Sequence, residues 1–171
     1  MNNIINLQID FDKEKVLQEI STLTLSPNKS NTWWRGRNEE VRTFFREGTS
    51  WLKAEITNTL LPEIKRLKDF LNADVVEVFN QKANSKLPRH TDFPIRCGVN
   101  ILLSDDVAPI TLDGVDKNYK IALIDLTQPH EVKAYPKDRL LLKFGWTTKL
   151  FKQVYEELKH YELETTESNN L

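Results

Sequence analysis

Residues 87–103 read LPRHTDFPIRCGVNILL, and this stretch decides which fold the chain is expected to adopt. It lies in the part of the chain, from residue 74 onward, where apolar residues recur with the period of two that is typical of β-strands. In a strand, side chains two residues apart leave the same face, so His90 and Asp92 point together while Thr91 points away. The stretch therefore predicts a strand that aims an imidazole and a carboxylate at one point.

The same period of two continues on both sides of this stretch and predicts a strand-rich second half. Polar turn sequences such as Ser104-Asp105-Asp106 and Asp113-Gly114 separate the segments. The predicted strands are 75–81, 87–92, 96–103, 107–112, 118–126, 129–134 and 139–145. Seven short strands joined by polar turns favour an antiparallel sandwich or barrel, with jelly rolls among the options.

The first half of the chain shows helical spacing instead. Residues 12–23 predict an amphipathic helix, residues 26–38 have the composition of a loop, and residues 39–71 return to helical periodicity, divided near Gly48 and Pro62. A last helix is predicted over 147–160. The aromatic residues at helical spacing are predicted to lie in the core: Phe44, Phe45, Trp51, Phe70 and Phe151.

The fold class that follows is α+β, with an antiparallel sandwich or barrel core for which a jelly roll is one option, N-terminal helices packed on one sheet and a C-terminal helix. We expect a single domain over 1–171, with a helical layer at about 11–72, a β-barrel core at about 75–146 and the last helix at about 147–160.

The bulk composition excludes several classes of protein. The 171 residues carry a formal net charge of -1 with scattered Lys and Arg, so no clear nucleic-acid surface is predicted. The one cysteine, Cys97, is predicted to be a small buried residue in a strand. The sequence contains neither a secretory signal pattern nor an apolar run that would suit a membrane span, and a cytoplasmic location follows by default.

The three histidines bear most directly on function. His130 begins another predicted strand and adds a second nitrogen donor to His90 and Asp92. Two imidazoles and one carboxylate on one face of a metal leave the opposite positions open, which suits non-heme iron(II) and oxygen chemistry. Neither His90-x-Asp92 nor His130 indicates a metal site by itself. His-x-Asp occurs by chance, and a strand can start with a surface or core histidine. His160, near the end of the last helix, is interpreted as a solvated residue.

A fourth functional element follows His130 in the segment RLLLKFG. Arg139 starts this predicted strand, and its planar guanidinium suits a carboxylate in two parallel hydrogen bonds. Alternation puts Arg139, Leu141 and Lys143 on one face, so Lys143 remains the competing anchor for an anion. Arg139 is preferred because strand starts lie at the barrel mouth; the plain alternative is an exposed residue capped by Asp138.

Strand alternation also assigns the two faces of residues 96–103. One face carries Arg96, Gly98, Asn100 and Leu102, and the other carries the apolar set Cys97, Val99, Ile101 and Leu103. The apolar face is predicted to pack on the helices, which leaves Arg96 and Asn100 in the barrel lumen as binding residues. A rim salt bridge from Arg96 to Asp92 or Asp105 is the alternative. Asn80 and Gln81 are further candidates for the cavity.

The order H-T-D, H-E-V and R-L-L-L-K-F-G resembles the iron(II)/2-oxoglutarate-dependent dioxygenase superfamily, over roughly residues 75–146. The segment HTDFPIRCGVNILLSDD also looks like the aspartyl/asparaginyl and prolyl hydroxylase branches. The resemblance implies a double-stranded β-helix in which His90, Asp92 and His130 hold Fe(II) and Arg139 holds the distal carboxylate of 2-oxoglutarate. The implied partners are 2-oxoglutarate, O2 and an unidentified primary substrate, a peptidyl residue or a small molecule.

Two other functions stay open at this point. One is a cupin-like metalloenzyme that does not use 2-oxoglutarate, and the other is a non-enzymatic jelly-roll binding or structural module. The cluster of Trp33, Trp34, Arg35 and Arg37 is interpreted either as an anchor that pins a loop to the core or as a contact for substrate.

Overall fold

Two antiparallel sheets form the body of the molecule in the computed structural model, which describes residues 2–29, 38–57, 60–105 and 109–163. The larger sheet has seven strands in the order β1-β9-β6-β11-β4-β3-β2, and the smaller has four in the order β5-β10-β7-β8. The strands are β1 Ile4–Asn6, β2 Ser26–Pro27, β3 Trp51–Glu55, β4 Val75–Gln81, β5 Leu87–His90, β6 Cys97–Leu102, β7 Ile110–Leu112, β8 Val115–Lys117, β9 Ile121–Asp125, β10 His130–Val132 and β11 Arg139–Trp146.

The helices have capping residues that the sequence makes recognisable. They are α1 Lys13–Ser21, α2 Glu39–Glu47, α3 Pro62–Leu71 and α4 Phe151–Leu158, which a 3-10 turn at Lys159–Tyr161 follows. The Asp12 side chain accepts from the backbone N–H of Lys15 at the start of α1. The Asn38 side chain accepts from the backbone N–H of Val41 at the start of α2. Helix α2 ends at Gly48, where φ is 63° and a Cβ atom would lie 2.7 Å from the Asn28 carbonyl carbon.

The outer face of the seven-stranded sheet is apolar, whereas its inner face carries both polar and apolar side chains. Cys97, Val99 and Ile101 of β6 lie on the outer face and pack in one cluster with apolar residues of α1, α3 and α4. Asn100 and Leu102 lie on the inner face, which the four-stranded sheet covers. The predicted division of residues 97–103 between the two faces is therefore confirmed. Cys97 is fully buried, and burial raises the pKa of its thiol to about 12.

The predicted helical region 39–71 is wrong at its centre, because Trp51–Glu55 is strand β3. Leu52 and Ile56 are four residues apart, a spacing that a helix and a strand-plus-turn can both produce. The chain leaves α2 at Gly48, and β3 then pairs antiparallel with β4, with Lys53 opposite Phe79. Hydrogen bonding to an existing strand outweighs helix propensity in this segment.

Two further expectations about the helices need correction. Helix α2 does not lie in the helical layer, because Val41 and Phe45 pack in the cluster between the sheets, beside β5. Phe70 is not in the core; it is 43% exposed on α3. The remaining predicted core aromatics, Phe45, Trp51 and Phe151, are buried, while Phe44 is partly buried.

The arrangement of two facing antiparallel sheets with helices on one outer face is an α+β jelly roll, the double-stranded β-helix predicted from the sequence. The short strands β1, β2 and β8 were not predicted. Within the described residues, every helix is too short or too polar to pass through a lipid bilayer. Trp33, Trp34, Arg35 and Arg37 lie outside the described residues.

Candidate metal centre

A cavity of about 250 Å³ lies between the two sheets. The inner faces of β3, β4 and β11 supply one wall, with alternate residues such as Lys53, Glu77 and Lys143 lining it. The four-stranded sheet supplies the opposite wall, which carries His90 and His130. The cavity therefore has charged side chains on the wall of the larger sheet and two imidazoles on the opposite wall.

His90 and His130 face each other across neighbouring strands. They are paired in the register of β5 and β10, and their ring centroids are 4.5 Å apart. The next aligned pair is Val132 with Leu87, so three residue steps along β5 match two along β10. This β-bulge lets both Leu87 and His90 face the cavity, although they are three residues apart.

The two histidines make the same local hydrogen bond. Nδ1 of His90 lies 2.7 Å from the carbonyl oxygen of Pro88, and Nδ1 of His130 lies 2.9 Å from that of Gln128. A carbonyl only accepts, so Nδ1 carries the proton on each ring. This leaves the lone pair on Nε2, the atom that both rings turn toward Asp92, and such an outer hydrogen bond is typical of metal-binding histidines.

Asp92 follows β5 and completes the cluster. Its backbone N–H donates to the carbonyl of Leu126 at 3.0 Å, which holds the residue against the larger sheet. Its Oδ1 atom lies 3.2 Å from Nε2 of His90 and 3.9 Å from Nε2 of His130. One ligand atom from each of the three residues lies within 4.8 Å of the others, a spacing that fits a single metal ion.

The electrostatics of the cluster keep His130 and Asp92 in the forms that bind a metal. Burial lowers the pKa of His130 to about 4, helped by the neighbouring His90, so this imidazole is neutral at neutral pH. Burial by itself would raise the pKa of Asp92. The nearby charge of Lys143 opposes burial and holds that pKa well below its usual range. A carboxylate and a neutral imidazole are the donors that a divalent metal requires.

Lys143 belongs to a group of buried charges beside the cluster. Its Nζ atom donates to Oδ2 of Asp92 at 2.6 Å and lies 3.7 Å from Oε2 of Glu77. Glu77 also forms an ion pair with Lys53. The side chains of Lys143 and Glu77 are only 7% and 9% exposed, so this group belongs to the interior of the barrel.

Arg139 lies on the same wall as Lys143. It is 2% exposed, and its Nη2 atom donates to the hydroxyl of Tyr119 at 2.7 Å. In the described part of the chain no acidic side chain pairs with it, and its Nε atom is buried without a hydrogen-bond partner. Asn100 also contacts the Tyr119 hydroxyl, at 3.4 Å. A buried cation with spare donors facing a cavity is the arrangement that an anionic ligand would satisfy.

The structure brings most of the candidate residues to this cavity. His90, Asp92, His130, Arg139, Asn100 and Lys143 all line it. Arg96 does not, because β6 begins only at Cys97 and the strand alternation does not extend back to Arg96. The side chain of Arg96 is exposed, and Ile95 lines the cavity instead. The alternative partners of Arg96 are engaged elsewhere, Asp92 with Lys143 and Asp105 with Lys13.

Asn80 and Gln81 lie outside the cavity lining, whereas Glu77 and Tyr119 line the cavity without having been predicted from the sequence. The Gln81 side chain donates to the carbonyl of Ser85, and neither it nor Asn80 lines the cavity. Glu77 and Tyr119 do line it. Glu77 was detectable from the sequence as the one charged residue within the otherwise apolar start of strand VVEVF, whereas no local signal distinguished Tyr119.

No model of a known protein family matches the sequence, and no curated protein sequence matches it. The fold does match solved structures. A 2OG-Fe(II) oxygenase family oxidoreductase from Burkholderia pseudomallei superposes with a TM-score of 0.52 and 12% identity, over 81% of each chain. A prolyl-4-hydroxylase from Pseudomonas putida superposes with a TM-score of 0.55 and 14% identity, over 85% of this chain and 92% of that one.

These comparisons confirm the resemblance to the iron(II)/2-oxoglutarate-dependent dioxygenase superfamily at the level of the fold. The molecule is a jelly roll with a fold similar to that of these two proteins, and it carries a His-Asp-His cluster whose spacing fits a metal ion. At 12–14% identity the likeness concerns the fold alone, so the reaction has to be argued from the site.

Proposed function

We propose that the protein is an Fe(II)- and 2-oxoglutarate-dependent dioxygenase that hydroxylates a peptidyl side chain or a small metabolite. The observation that carries the proposal is the buried guanidinium of Arg139, which faces the same cavity as the His-Asp-His cluster and lacks a carboxylate partner among the described residues. A metal site and an anion site in one cavity suit a cosubstrate that is both a chelator and a dicarboxylate.

His90, Asp92 and His130 would hold the iron. When bound, iron(II) and 2-oxoglutarate supply oxygen activation coupled to decarboxylation of the cosubstrate to succinate and carbon dioxide. The chain supplies two imidazoles whose Nδ1 protons are held by backbone carbonyls and a carboxylate whose Oδ2 atom accepts from Lys143. These contacts orient the donors before the metal arrives, which reduces the cost of organising the site.

Arg139 would hold the distal carboxylate of 2-oxoglutarate. Its Nη2 donates to Tyr119, while Nε and the other Nη atom remain for an incoming anion. The Tyr119 oxygen accepts from Arg139, so its own proton is available to the same carboxylate. Burial strengthens such charge-assisted hydrogen bonds, because water competes for them less.

Lys143 is the less suitable anchor for 2-oxoglutarate. Its ammonium group is already held between the carboxylates of Asp92 and Glu77. An anion bound there would have to displace a buried ion pair, which costs several kcal/mol. Arg139 requires no such exchange.

The test is anaerobic titration of the metal-free protein with Fe(II) and then with 2-oxoglutarate, monitored by the weak visible charge-transfer band of the iron chelate. We expect His90→Ala to lose iron binding. We expect Arg139→Gln to bind iron but to weaken 2-oxoglutarate by roughly 30-fold or more, since loss of a buried charged partner costs about 2–5 kcal/mol. Arg96→Gln is the matched control, because Arg96 is an exposed arginine outside the cavity lining.

Each outcome separates one part of the proposal from the others. Iron binding without the charge-transfer band would leave a metalloenzyme that does not use 2-oxoglutarate. An equal loss of affinity in Arg96→Gln and Arg139→Gln would contradict Arg139 as the anchor. A protein that binds no iron would favour the non-enzymatic jelly-roll module.

A further inference from the structure

Four charged side chains of alternating sign cross the inner face of the larger sheet and end at the metal cluster. They run from Lys53 on β3 through Glu77 on β4 and Lys143 on β11 to Asp92. Lys53 is 27% exposed, whereas the other three side chains are 9% (Glu77), 7% (Lys143) and 13% (Asp92) exposed. Because the four charges cancel, the row is tolerated in the barrel interior, where an isolated charge would not be.

The innermost contact divides the two oxygen atoms of Asp92 between different partners. Oδ2 accepts from Nζ of Lys143 at 2.6 Å, whereas Oδ1 faces Nε2 of His90 at 3.2 Å and Nε2 of His130 at 3.9 Å. A carboxylate whose second oxygen is held by a short charge-assisted hydrogen bond keeps one rotamer. The atom left toward the histidines is Oδ1 alone.

We infer that Lys143 is a positioning residue for the metal centre, which holds Oδ2 of Asp92 so that Oδ1 alone is presented to the metal together with the two imidazoles. Glu77, which also pairs with Lys53, contacts the Lys143 ammonium group from its other side and keeps it aimed at Asp92. The inference rests on the metal site of the proposed function, and it concerns this chain's residues toward that metal rather than the cosubstrate.

Two opposite effects of Lys143 on metal binding can be distinguished by experiment. A buried ammonium group beside a cation site repels the incoming metal, so charge alone makes Lys143 unfavourable for metal binding. Removal of Lys143 would then tighten metal binding. If Lys143 acts by positioning Asp92, its removal weakens metal binding instead, so the direction of the change distinguishes the two.

The experiment compares Lys143→Met with Lys133→Met. The first removes the ammonium from Asp92 and keeps an unbranched stem of similar length; the second removes a surface lysine that pairs with Asp116. Fe(II) affinity is measured anaerobically by competition with a chromophoric chelator. We expect Lys143→Met to weaken Fe(II) binding by about 10–100-fold, as is usual when the outer partner of a metal ligand is lost. We expect Lys133→Met to leave it unchanged.

A spectroscopic measurement reports the positioning directly. Visible d–d bands of the Co(II)-substituted protein depend on coordination number and geometry. Without Lys143, Oδ2 is released and Asp92 can bind through both oxygen atoms, so the intensity of the bands should change in Lys143→Met and remain that of the wild type in Lys133→Met. A purely structural role for Lys143 would leave the spectrum of the folded, Co(II)-loaded variant as it is in the wild type.

A second variant guards against misfolding. Lys143→Met leaves the row of charges with a net charge of -1, whereas Lys143→Met/Glu77→Gln removes one charge of each sign and keeps the net charge of the row at zero. We expect the double variant to fold and still to bind Fe(II) weakly. Unchanged or tighter Fe(II) binding in folded Lys143 variants would overturn the inference while the metal site stands. A wild type that binds no Fe(II) would instead defeat the proposed function itself.

Discussion

Each histidine of the cluster donates its Nδ1 proton to the backbone carbonyl two residues earlier, Pro88 for His90 and Gln128 for His130. Backbone acceptors are part of the chain itself, so the tautomer does not depend on another side chain. Asp92 differs, since its Oδ2 atom is held by the ammonium group of Lys143. At the scale of single residues, two donors are oriented locally and the third is oriented by a distant strand.

Replacement of the carboxylate tests the cluster at this scale. Asp92→Asn keeps the shape of the side chain but removes the negative charge, and the amide faces the ammonium of Lys143. We expect Fe(II) binding to weaken by more than the about 10–100-fold that loss of an outer partner costs. Measurement is by anaerobic Fe(II) titration.

Thr91→Val is the matched control for Asp92→Asn, because Thr91 lies between the two donors and does not line the cavity. Its Fe(II) affinity should equal that of the wild type. Wild-type affinity in Asp92→Asn would mean that this carboxylate is not a ligand.

At the scale of elements, α1 and α3 cap each other on the outer face of the larger sheet. Leu61, the residue before α3, makes no side-chain capping bond. Glu19 of α1 takes this role and accepts from the backbone N–H groups of Glu63 and Ile64 at 2.8 and 2.9 Å. In return Glu63 accepts from the backbone N–H of Asp12, the N-cap of α1, at 3.1 Å. The two helices therefore satisfy each other's free N–H groups.

This reciprocal capping predicts a pH-dependent contribution to stability. The hydrogen bonds that Arg66 donates lower the pKa of Glu63 from 4.5 to about 2. Because the folded-state pKa is the lower one, the contribution of the carboxylate is complete above about pH 4.5 and is lost as the pH falls toward 2. Glu63→Gln should lower the free energy of unfolding by about 0.5–1 kcal/mol at pH 7, since Arg66 is half exposed.

Urea denaturation of the wild type and of Glu63→Gln at pH 7 and pH 3 measures this contribution. The difference between the two proteins should be smaller at pH 3. Glu14→Gln, which removes an exposed carboxylate from α1, should change stability less at pH 7. A difference for Glu63→Gln that is equal at both pH values would contradict a role for the ionised carboxylate.

At the scale of the whole molecule, the cluster joins the two sheets. His90 and His130 belong to the four-stranded sheet. Asp92 instead forms hydrogen bonds with Lys143 of the larger sheet and with Leu126, which directly follows strand β9 of that sheet. A metal ion held by all three would link both walls of the barrel. Since a ligand that binds only the folded state stabilises it, metal binding is expected to stabilise the entire domain.

This linkage is measurable by anaerobic thermal unfolding. Fe(II) at about 100 times its Kd should add about 2.7 kcal/mol to the free energy of unfolding. For a chain of this size, that gain corresponds to a rise in Tm of roughly 5–10 °C. Mg²⁺, which prefers oxygen ligands, is the control ion and should have little effect. An equal rise in Tm for His130→Ala would show that the metal acts elsewhere.

Several features of the fold were predictable because they depend on short stretches of sequence. Strand β4 spans Val75–Gln81, as the alternation of VVEVFNQ predicts, and α1 follows its Asp12 cap. Strand β3 was not predictable, because Trp51–Glu55 has apolar residues at a spacing compatible with both kinds of element. It becomes a strand through hydrogen bonds to β4, a partner more than twenty residues away.

The candidate site divides in the same way. By itself the sequence determined which residues carry donors and which side of each strand they occupy, because side-chain alternation is a local property of an extended chain. This was enough to predict the inward positions of His90, His130 and Arg139, whereas β5 ends at His90, before the predicted end at residue 92, and Asp92 joins the cluster from the segment after the strand. Only the tertiary structure decided that Lys143 meets Asp92, that Arg139 meets Tyr119 and that Arg96 faces solvent. Such pairings depend on strand register and on the packing of two sheets, which bring together residues that no local pattern relates.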